Sequence, residues 1–294
     1  MNPLVVVGIC TCNNCKSLER TLESVKKIDY DNFKIIVVDN NSTDDTRTYL
    51  KNIGGIEYIY ESKQGISNAR NRLLDSCGDE VEYLGMLDDD ETVEPTWIKE
   101  MLKCFSLDKE IVAVGSVCLP VYEKPINQWV SEDFFAVGMS WKGMSIYEDS
   151  LPGGNLMIKM SIFKKTTYRY NSSLRYSGKV LIAGEDVEFS ENMKMCGYKL
   201  GFTEFAPVKH YIPEKKSNIQ WVTKRYFCEG ITQYYRYGFN EWLHGLWQLP
   251  LRFLRLILEL MTLNVLKIRN RFYKLVMNLG LVFGPIVLCI KSKY

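Results

Sequence analysis

Short apolar strands alternate with helices along the first 90 residues, and this alternation most constrains the fold. Residues 4–10 and 33–38 are unbroken runs rich in Val and Ile, and residues 83–87 form a third apolar run. Such runs are typical of strands buried on both faces of a sheet. Apolar residues recur at helical spacing over residues 16–28 and 65–76. The sequence therefore predicts an α/β fold with a mostly parallel sheet covered by helices on both faces.

The second half of the chain is less regular. Residues 111–163 alternate short apolar runs with loops, which predicts short strands. A helix is predicted after Gly184, with an apolar face that includes Cys196. The strand that follows is predicted at residues 199–205, which places His210 beyond its end.

Polar clusters follow three of the predicted parallel strands. They comprise residues 11–13, 39–41 and 88–90. Ligands of open α/β sheets bind beyond the carboxyl ends of the strands. We therefore expect the three clusters to converge on one edge of the sheet and to form the functional site.

The acidic run at residues 88–90 suggests metal chemistry. Asp88 and Asp90 lie one residue apart at a strand end, where two carboxylates can bind one hard divalent cation together with diphosphate oxygens. The alternative is a solvated acidic loop. His210 is one of only two histidines, and it is either a metal ligand or a structural side chain.

Four further side chains have a functional and a structural interpretation. Asp39 can accept hydrogen bonds from a base or a ribose, or can stabilise a turn. Arg70 can neutralise a phosphate or form a surface salt bridge. Glu185 and Asp186 open a helix, where the macrodipole favours ionised carboxylates. Such a carboxylate can act as a general base, whereas helix capping needs only one of the two.

Two nucleotide-binding motifs are missing from the sequence. No G-x-G-x-x-G follows the first predicted strand, and no G-x-x-x-x-G-K-[ST] is present. A dinucleotide-binding fold and a P-loop are therefore both disfavoured.

The distribution of charge divides the chain into two parts. The 294 residues include 37 Lys and Arg against 35 Asp and Glu, a net charge of +2 that argues against a nucleic-acid-binding protein. Residues 242–294 hold eight basic residues against one acidic residue, which gives +7 and leaves −5 for the rest. We expect a catalytic domain at residues 1–240 and a basic helical tail at residues 241–294.

Cysteine usage bears on the cellular compartment. The chain has nine cysteines, and its first apolar run lacks a basic n-region and a small-residue cleavage site. We therefore expect reduced thiols and a cytoplasmic location. A zinc site at Cys10, Cys12 and Cys15 is disfavoured, since no second Cys/His pair follows at finger spacing.

The tail is predicted to lie in a membrane surface. The uncharged run at residues 275–290 is shorter than the roughly 20 residues of a membrane-spanning helix. Residues 251–274 instead place charged groups near one stripe of an apolar helix, which predicts peripheral attachment to an anionic membrane at its inner face. A dimer interface through the tail, or a helix packed on the catalytic domain, is the alternative.

Taken together, the motifs resemble those of the family 2 glycosyltransferases, which are inverting enzymes with the GT-A fold. The resemblance spans the chain from Val5 to about His210. It is carried by the segments Val-Gly-Ile-Cys-Thr-Cys-Asn at 7–13, Val-Val-Asp-Asn-Asn-Ser at 37–42, Gly65 with Ala69-Arg70-Asn71, Leu-Asp-Asp-Asp at 87–90, Gly-Gly-Asn at 153–155 and Gly-Glu-Asp-Val-Glu at 184–188.

The resemblance implies a nucleotide-sugar donor, a UDP-sugar in the first instance, and Mn²⁺ or Mg²⁺ as cofactor. It implies Asp186 as the catalytic base. The implied nucleotide-binding residues are Thr11, Asn13, Asp39, Arg70, Asp88 and Asp89. The implied metal ligands are Asp90, Asp88 and His210. The implied donor and acceptor pocket comprises Gly153, Gly154, Asn155, Glu185, Trp221 and Arg225, with Trp129 and Trp141 as further candidates.

Two departures from the family pattern narrow the function. Cys12 stands where many relatives have a tyrosine that stacks on the base. No Q-x-x-R-W motif follows, and the lack of this motif argues against a processive synthase. We expect transfer of one sugar to a lipid-linked or glycan acceptor in cell-surface polysaccharide or glycolipid synthesis. The alternatives are a catalytically silent nucleotide- or glycan-binding subunit and a nucleotidyltransferase.

Overall fold

The computed structural model describes residues 2–147, 149–165, 168–172, 176–177, 180–181 and 184–291. The chain forms two compact units. The N-terminal unit comprises Met1–Val121, Phe135–Leu174 and Glu185–Tyr211, and the C-terminal unit comprises Tyr122–Phe134, Arg175–Gly184 and Ile212–Tyr294.

The strands are β1 Val5–Thr11, β2 Phe33–Asp39, β3 Glu57–Tyr60, β4 Tyr83–Asp88, β5 Glu91–Val93, β6 Ile111–Tyr122, β7 Met144–Tyr147, β8 Asn155–Lys159, β9 Tyr176–Ser177, β10 Val180–Leu181 and β11 Lys199–Ile212. The α-helices are α1 Cys15–Val25, α2 Thr46–Asn52, α3 Ile66–Ser76, α4 Trp97–Phe105, α5 Ser161–Lys165, α6 Glu185–Met195, α7 Ile219–Leu260 and α8 Val265–Lys291.

One mixed sheet organises the N-terminal unit. Within the described residues the strand order is β3-β2-β1-β4-β8-β6-β11-β5, and β7 pairs with β11. Strands β1 to β4 pair in parallel, whereas β8 pairs antiparallel to β4 and β6, and β11 pairs antiparallel to β5 and β7. The predicted α/β architecture is confirmed, and the parallel pairings lie in one half of a mixed sheet.

Alternating side chains of β1 pack into different clusters because successive residues of a strand point to opposite faces. Val5 lies in one buried cluster with Leu22 of α1. Val6 lies in another with Leu73 of α3. A Cβ atom at Gly8 would come within 2.3 Å of the Leu73 side chain, so this glycine allows α3 to lie close against the sheet.

Two sequence expectations for the second half of this unit are wrong. Cys196 is exposed rather than on the buried face, because α6 ends at Met195 and Gly197 adopts φ +81° just beyond it. The last strand is longer than predicted and runs to Ile212, so His210 lies within it and pairs with Glu91 of β5.

The C-terminal unit contains the two longest helices. Helix α7 is interrupted at Gly238, whose φ of 70° and ψ of −148° are not helical. The first segment of α7 runs parallel to α8, because residues later in this segment contact residues later in α8. The second segment runs antiparallel to α8, so the chain reverses direction at Gly238. The contacts that define this are Tyr226–Tyr273 and Tyr234–Gly284 for the first segment, and Trp242–Val282 and Arg252–Lys274 for the second.

Two glycines allow the first segment of α7 to cross α8 at backbone contact. A Cβ atom at Gly230 would lie 1.8 Å from the carbonyl oxygen of Met277, and one at Gly280 would lie 1.9 Å from that of Phe227. The domain division expected at residues 240/241 falls just after Gly238, whereas Ile212–Tyr294 belongs as a whole to the C-terminal unit. That division stays a prediction.

The prediction of a single amphipathic helix at residues 251–274 is wrong, because α7 ends at Leu260 and α8 begins at Val265. Leu263 adopts φ +52°, and the side chain of Asn264 accepts a hydrogen bond from the backbone of Lys267 at 3.1 Å, which caps the start of α8. By length and composition alone, Val265–Cys289 could cross a membrane, and 33% of its most apolar window is buried. The uncharged run at residues 275–290 therefore underestimates the apolar length of this helix.

Candidate functional site

The carboxyl ends of β1, β2 and β4 lie side by side, as expected. In the parallel register Thr11 of β1 is opposite Asp39 of β2, and Cys10 is opposite Asp88 of β4. The polar clusters that follow these strands therefore converge on one edge of the sheet. This edge is the candidate active site.

Asp89 is held by side chains from the β1 end. Its carboxylate accepts hydrogen bonds from the Thr11 hydroxyl at 2.6 Å and from the Asn14 amide at 2.7 Å, while Thr21 donates to its backbone carbonyl at 3.0 Å. Burial raises the pKa of Asp89 to about 7, with the charge of Asp90 adding to the shift and the bonds from Thr11 and Asn14 opposing it. In this structure Thr11 therefore fixes the acidic loop.

Asn13 joins the β1 and β2 ends. It adopts φ +55°, which asparagine tolerates better than most residues. Its backbone N–H donates to the Ser42 hydroxyl at 3.0 Å, and its side-chain oxygen accepts from the backbone of Thr43 at 2.7 Å and of Asp44 at 3.2 Å. These bonds hold the two loops in one arrangement.

Asp39 is fully buried and stabilises the turn that follows β2. Its carboxylate accepts a hydrogen bond from the backbone N–H of Ser42 at 2.8 Å and one from the Tyr58 hydroxyl at 3.2 Å. The guanidinium of Arg47 lies 3.6 Å from the second oxygen. A buried carboxylate with such partners is held in one orientation at the strand end.

The acidic loop brings three carboxylates and one imidazole together. Oδ1 of Asp90 lies 3.4 Å from Nε2 of His210, and the side chain of Asp88 is 43% exposed at the strand end. Glu91, which the sequence analysis overlooked, is buried and accepts a hydrogen bond from the backbone of Asp88 at 3.2 Å. Burial, followed by the charges of Asp88 and Asp90, raises the pKa of Glu91 well above its usual value.

These groups have the donor chemistry of a divalent-cation site. Carboxylate oxygens and an imidazole nitrogen suit Mn²⁺, and the pairing of β5 with β11 already brings Asp90 to His210. In the described part of the chain, no group of three or more His, Cys, Asp or Glu side chains is placed to hold a metal ion. The metal-binding role expected of Asp88, Asp90 and His210 stays a prediction.

Arg70 links the acidic loop to the start of α6. Its guanidinium is buried, donates to Oε1 of Glu185 at 2.9 Å and lies 3.5 Å from Oδ1 of Asp88. Burial opposes the charged form, but Glu185 and then Asp88 raise the pKa of Arg70 above its usual value. The surface salt bridge considered for Arg70 is therefore wrong, because this pair lies in the interior.

Two glycines make room for this network. A Cβ atom at Gly153 would lie 2.7 Å from the Arg70 guanidinium, and one at Gly154 would lie 2.6 Å from Oδ2 of Asp88. The space above these glycines is thus occupied by the protein's own charged groups. Any larger residue at either position would displace Arg70 or Asp88.

Asp186 lies beside this network at the first turn of α6. Its Oδ1 accepts a hydrogen bond from the backbone N–H of Val187 at 2.8 Å, and its side chain is partly exposed. Its charge contributes to the raised pKa of Arg70. Asp186 is thus a partly exposed carboxylate next to the buried Glu185–Arg70 pair.

Several residues expected in the pocket lie elsewhere. Asn155 is fully buried, accepts a hydrogen bond from Trp97 Nε1 at 2.9 Å and donates to the carbonyls of Val117 and Ala206, so the expectation that it lines the pocket is wrong. Its position in β8 points its side chain into the core. Trp141 packs in the core against Tyr147 and Phe202.

Three expected residues belong to the C-terminal unit. Trp129 packs edge-on against Phe272. The backbone N–H of Trp221 donates to the side-chain oxygen of Asn218, the N-cap of α7, at 2.8 Å. Arg225 pairs with Glu229 one turn on at 3.1 Å.

Comparison with known proteins identifies the family. A sequence model described as "Glycosyl transferase family 2" matches residues 6–168, which is more than half of the chain. The protein therefore belongs to this family of sugar transferases.

Its curated relatives include the succinoglycan biosynthesis protein ExoM of Rhizobium meliloti. That protein is 28% identical over 235 residues, which cover 77% of this chain and 72% of the relative. A glucosyl-dolichyl phosphate glucuronosyltransferase of Haloferax volcanii is 23% identical over 242 residues, covering 79% of this chain and 76% of the relative.

Solved structures share the GT-A fold. The mannosyltransferase PcManGT from Pyrobaculum calidifontis, in complex with GDP-Man and Mn²⁺, superimposes with a TM-score of 0.56 at 16% identity. The alignment covers 80% of this chain and 65% of that chain. TarS 1–349 of S. aureus superimposes with a TM-score of 0.54 at 15% identity, covering 78% of this chain and 64% of that chain. The expected GT-A fold is confirmed.

Proposed function

We propose that this protein transfers one sugar, with inversion, from a nucleotide-diphosphate sugar to a lipid-linked or glycan acceptor in cell-surface polysaccharide or glycolipid synthesis. The observation that carries the proposal is the buried Arg70 bridge, which ties Asp88 at the end of β4 to Glu185 beside Asp186. In this proposal the Arg70 bridge holds Asp88, beside the leaving diphosphate, at a fixed distance from the general base Asp186. Such positioning contributes strongly to catalysis of a two-substrate reaction.

The donor would bind at the convergent strand ends. Thr11, Asn13 and Asp39 shape the nucleoside end, since their hydrogen bonds hold both loops in place. Asp88, Asp89 and Arg70 would lie at the diphosphate. The neighbour solved with GDP-Man has a donor of this class, and a UDP-sugar is the first donor to test.

Asp88, Asp90 and His210 would hold Mn²⁺ or Mg²⁺ with the diphosphate. When bound, the cation offsets the negative charge that develops on the leaving diphosphate. The protein's own contribution is to keep Asp90 beside His210 and to keep the Asp88 carboxylate at the strand end.

Asp186 would act as the general base. The acceptor hydroxyl would lose its proton to a carboxylate oxygen of Asp186 as the acceptor oxygen attacks the anomeric carbon. The bond between the anomeric carbon and the diphosphate oxygen would break at the same time, and the nucleoside diphosphate would leave. Gly153, Gly154 and Glu185 remain predicted contributors to the donor and acceptor pocket.

The acceptor class rests on the relatives. One acts in succinoglycan biosynthesis, one is named for a dolichyl phosphate and one for an undecaprenol-linked glycan. We further propose peripheral attachment to the cytoplasmic face of the membrane through the basic C-terminal helices, which could also form a homo-oligomer contact. Flotation of the full-length chain with anionic vesicles tests the attachment.

A product assay tests the enzymatic proposal. The purified full-length protein is incubated with Mn²⁺ and a panel of nucleotide sugars, and the released nucleotide is identified. Release of a nucleoside diphosphate is expected for one donor. Pyrophosphate release would instead indicate a nucleotidyltransferase, and no release with any donor or metal would contradict an enzyme.

A further inference from the structure

A basic cavity lies between the second segment of α7 and the first half of α8. Its volume is about 240 Å³. This is below the roughly 300 Å³ at which pockets for drug-sized ligands begin, so the cavity suits a small group. The lining residues are Gln248, Arg252, Arg255, Arg271, Lys274 and Met277.

Two of the four lining cations are held within the protein. Nη1 of Arg252 donates to the backbone carbonyl of Lys274 at 2.8 Å, and its Nε donates to Gln248 at 3.3 Å. Arg271 lies 3.8 Å from the carboxylate of Glu259. These contacts fix the walls of the cavity.

The other two lining cations, Arg255 and Lys274, have no anionic partner among the described residues. In the described part of the chain, the side chains of Arg255 and Lys274 form no hydrogen bond or ion pair. Burial lowers the pKa of Arg252, Glu241 opposes this shift and the positive charge of Arg255 adds to it. An anion in the cavity would relieve this repulsion, and arginine is well suited to phosphate because its planar donors bind two oxygens at once.

An exposed apolar face runs beside the cavity. Trp247, Leu251, Leu254 and Leu258 recur at intervals of four, three and four residues on α7, and each is more than half exposed. They alternate with the lining residues Gln248, Arg252 and Arg255 along the same segment. A contiguous apolar surface next to cations is typical of a helix that lies in a lipid interface.

We propose that the cavity binds the phosphate of an anionic phospholipid, whose acyl chains lie along the adjacent apolar face. A free phosphate would account for the cations but leaves the apolar face uncovered. The site rests on the membrane attachment proposed above and gives that attachment a defined headgroup contact.

The test compares two double variants of the full-length protein. Arg255→Gln/Lys274→Gln removes the two unpaired cations of the cavity. Lys224→Gln/Lys267→Gln removes the same charge from exposed positions outside it. Binding is measured with phosphatidylcholine vesicles with and without phosphatidylglycerol, and thermal unfolding checks that both variants fold.

The cavity variant should lose about fivefold in affinity for phosphatidylglycerol vesicles per cation removed, which is on the order of 25-fold in all. The matched control should lose less, since diffuse surface charge is screened by salt. Equal losses in the two variants would overturn the cavity while leaving membrane attachment intact. If the unmodified protein does not bind vesicles at all, both the cavity and the attachment fail.

A second measurement separates the lipid from free phosphate. Inorganic phosphate at millimolar concentration is added to the unmodified protein and to the cavity variant, and melting is recorded. If phosphate stabilises only the unmodified protein while both bind phosphatidylglycerol vesicles equally, the ligand is free phosphate and the lipid proposal is wrong. Donor hydrolysis in solution should be the same in both proteins.

Discussion

The two units of this protein differ in the burial and pairing of their charged side chains. In the N-terminal unit, Arg70 is buried between Glu185 and Asp88, and Asp39 is buried among hydrogen-bond donors. In the C-terminal unit, Arg255 and Lys274 face an open cavity beside exposed leucines. Buried, paired charges are held in fixed positions, which suits the proposed chemistry. Unpaired surface charges remain available to a ligand, which suits attachment.

The largest effect should come from the base. Asp186→Asn removes the proton acceptor, so transfer should fall by about 10² to 10⁴-fold. Donor binding should persist, because the Arg70 contacts with Glu185 and Asp88 are retained. Turnover is measured by nucleoside diphosphate release and binding by calorimetry. Near-normal turnover would remove Asp186 from the mechanism.

Charge removal should affect stability very differently in the two units. Arg70→Ala leaves two carboxylates uncompensated, so the free energy of unfolding should fall by about 3–5 kcal/mol. Arg255→Ala removes an exposed charge and should change it by about 0.5 kcal/mol or less. Denaturant unfolding of both variants measures the difference. Similar losses would contradict the contrast between the units.

The acidic loop should matter for metal-dependent binding. Asp90→Ala removes the carboxylate beside His210 and should weaken Mn²⁺-dependent donor affinity by about 10- to 100-fold, the range found for changes around metal sites. Calorimetric titration with and without Mn²⁺ measures this. The Glu94→Gln variant, at an exposed position four residues further along the chain, serves as a control for loss of charge nearby. An unchanged Mn²⁺ dependence in Asp90→Ala would contradict the metal assignment.

The smallest effect should be that of salt. Raising ionic strength from 0.1 to 1 M shortens the screening length from about 10 to about 3 Å. Vesicle binding through exposed cations should weaken severalfold, whereas the melting temperature should change little because the Arg70 pairs are buried. Vesicle binding that does not depend on salt would indicate that burial of apolar side chains alone attaches the protein to the membrane.

The sequence was sufficient for the parallel half of the sheet. Apolar runs identified β1, β2 and β4, and the polar residues after them identified the site edge. The orientation of the Asn155 side chain could not be predicted from the sequence. Strand β8 is apolar at successive positions, so it lacks the alternation of polar and apolar residues that would assign its side chains to the two faces of the sheet. The register with β4 and β6, which only the folded sheet defines, points this side chain inward.

Local hydrogen bonds account for the other differences. Glu91 was not predicted, because its burial follows from the pairing of β5 with β11, which the sequence does not show. Arg47 and Tyr58 support Asp39 from elements that the sequence does not place next to it. In the tail, the cap at Asn264 outweighs the apolar periodicity that favoured one continuous helix.

The close crossing at Gly230 and Gly280 has a consequence for synthesis. Helix α7 leaves the ribosome before α8, so the face around Gly230 stays uncovered until the 27 residues of α8 have been made. At 5–20 residues per second this takes roughly one to five seconds. During that interval the nascent chain presents an uncovered apolar helix, and any premature stop before α8 would make that state permanent.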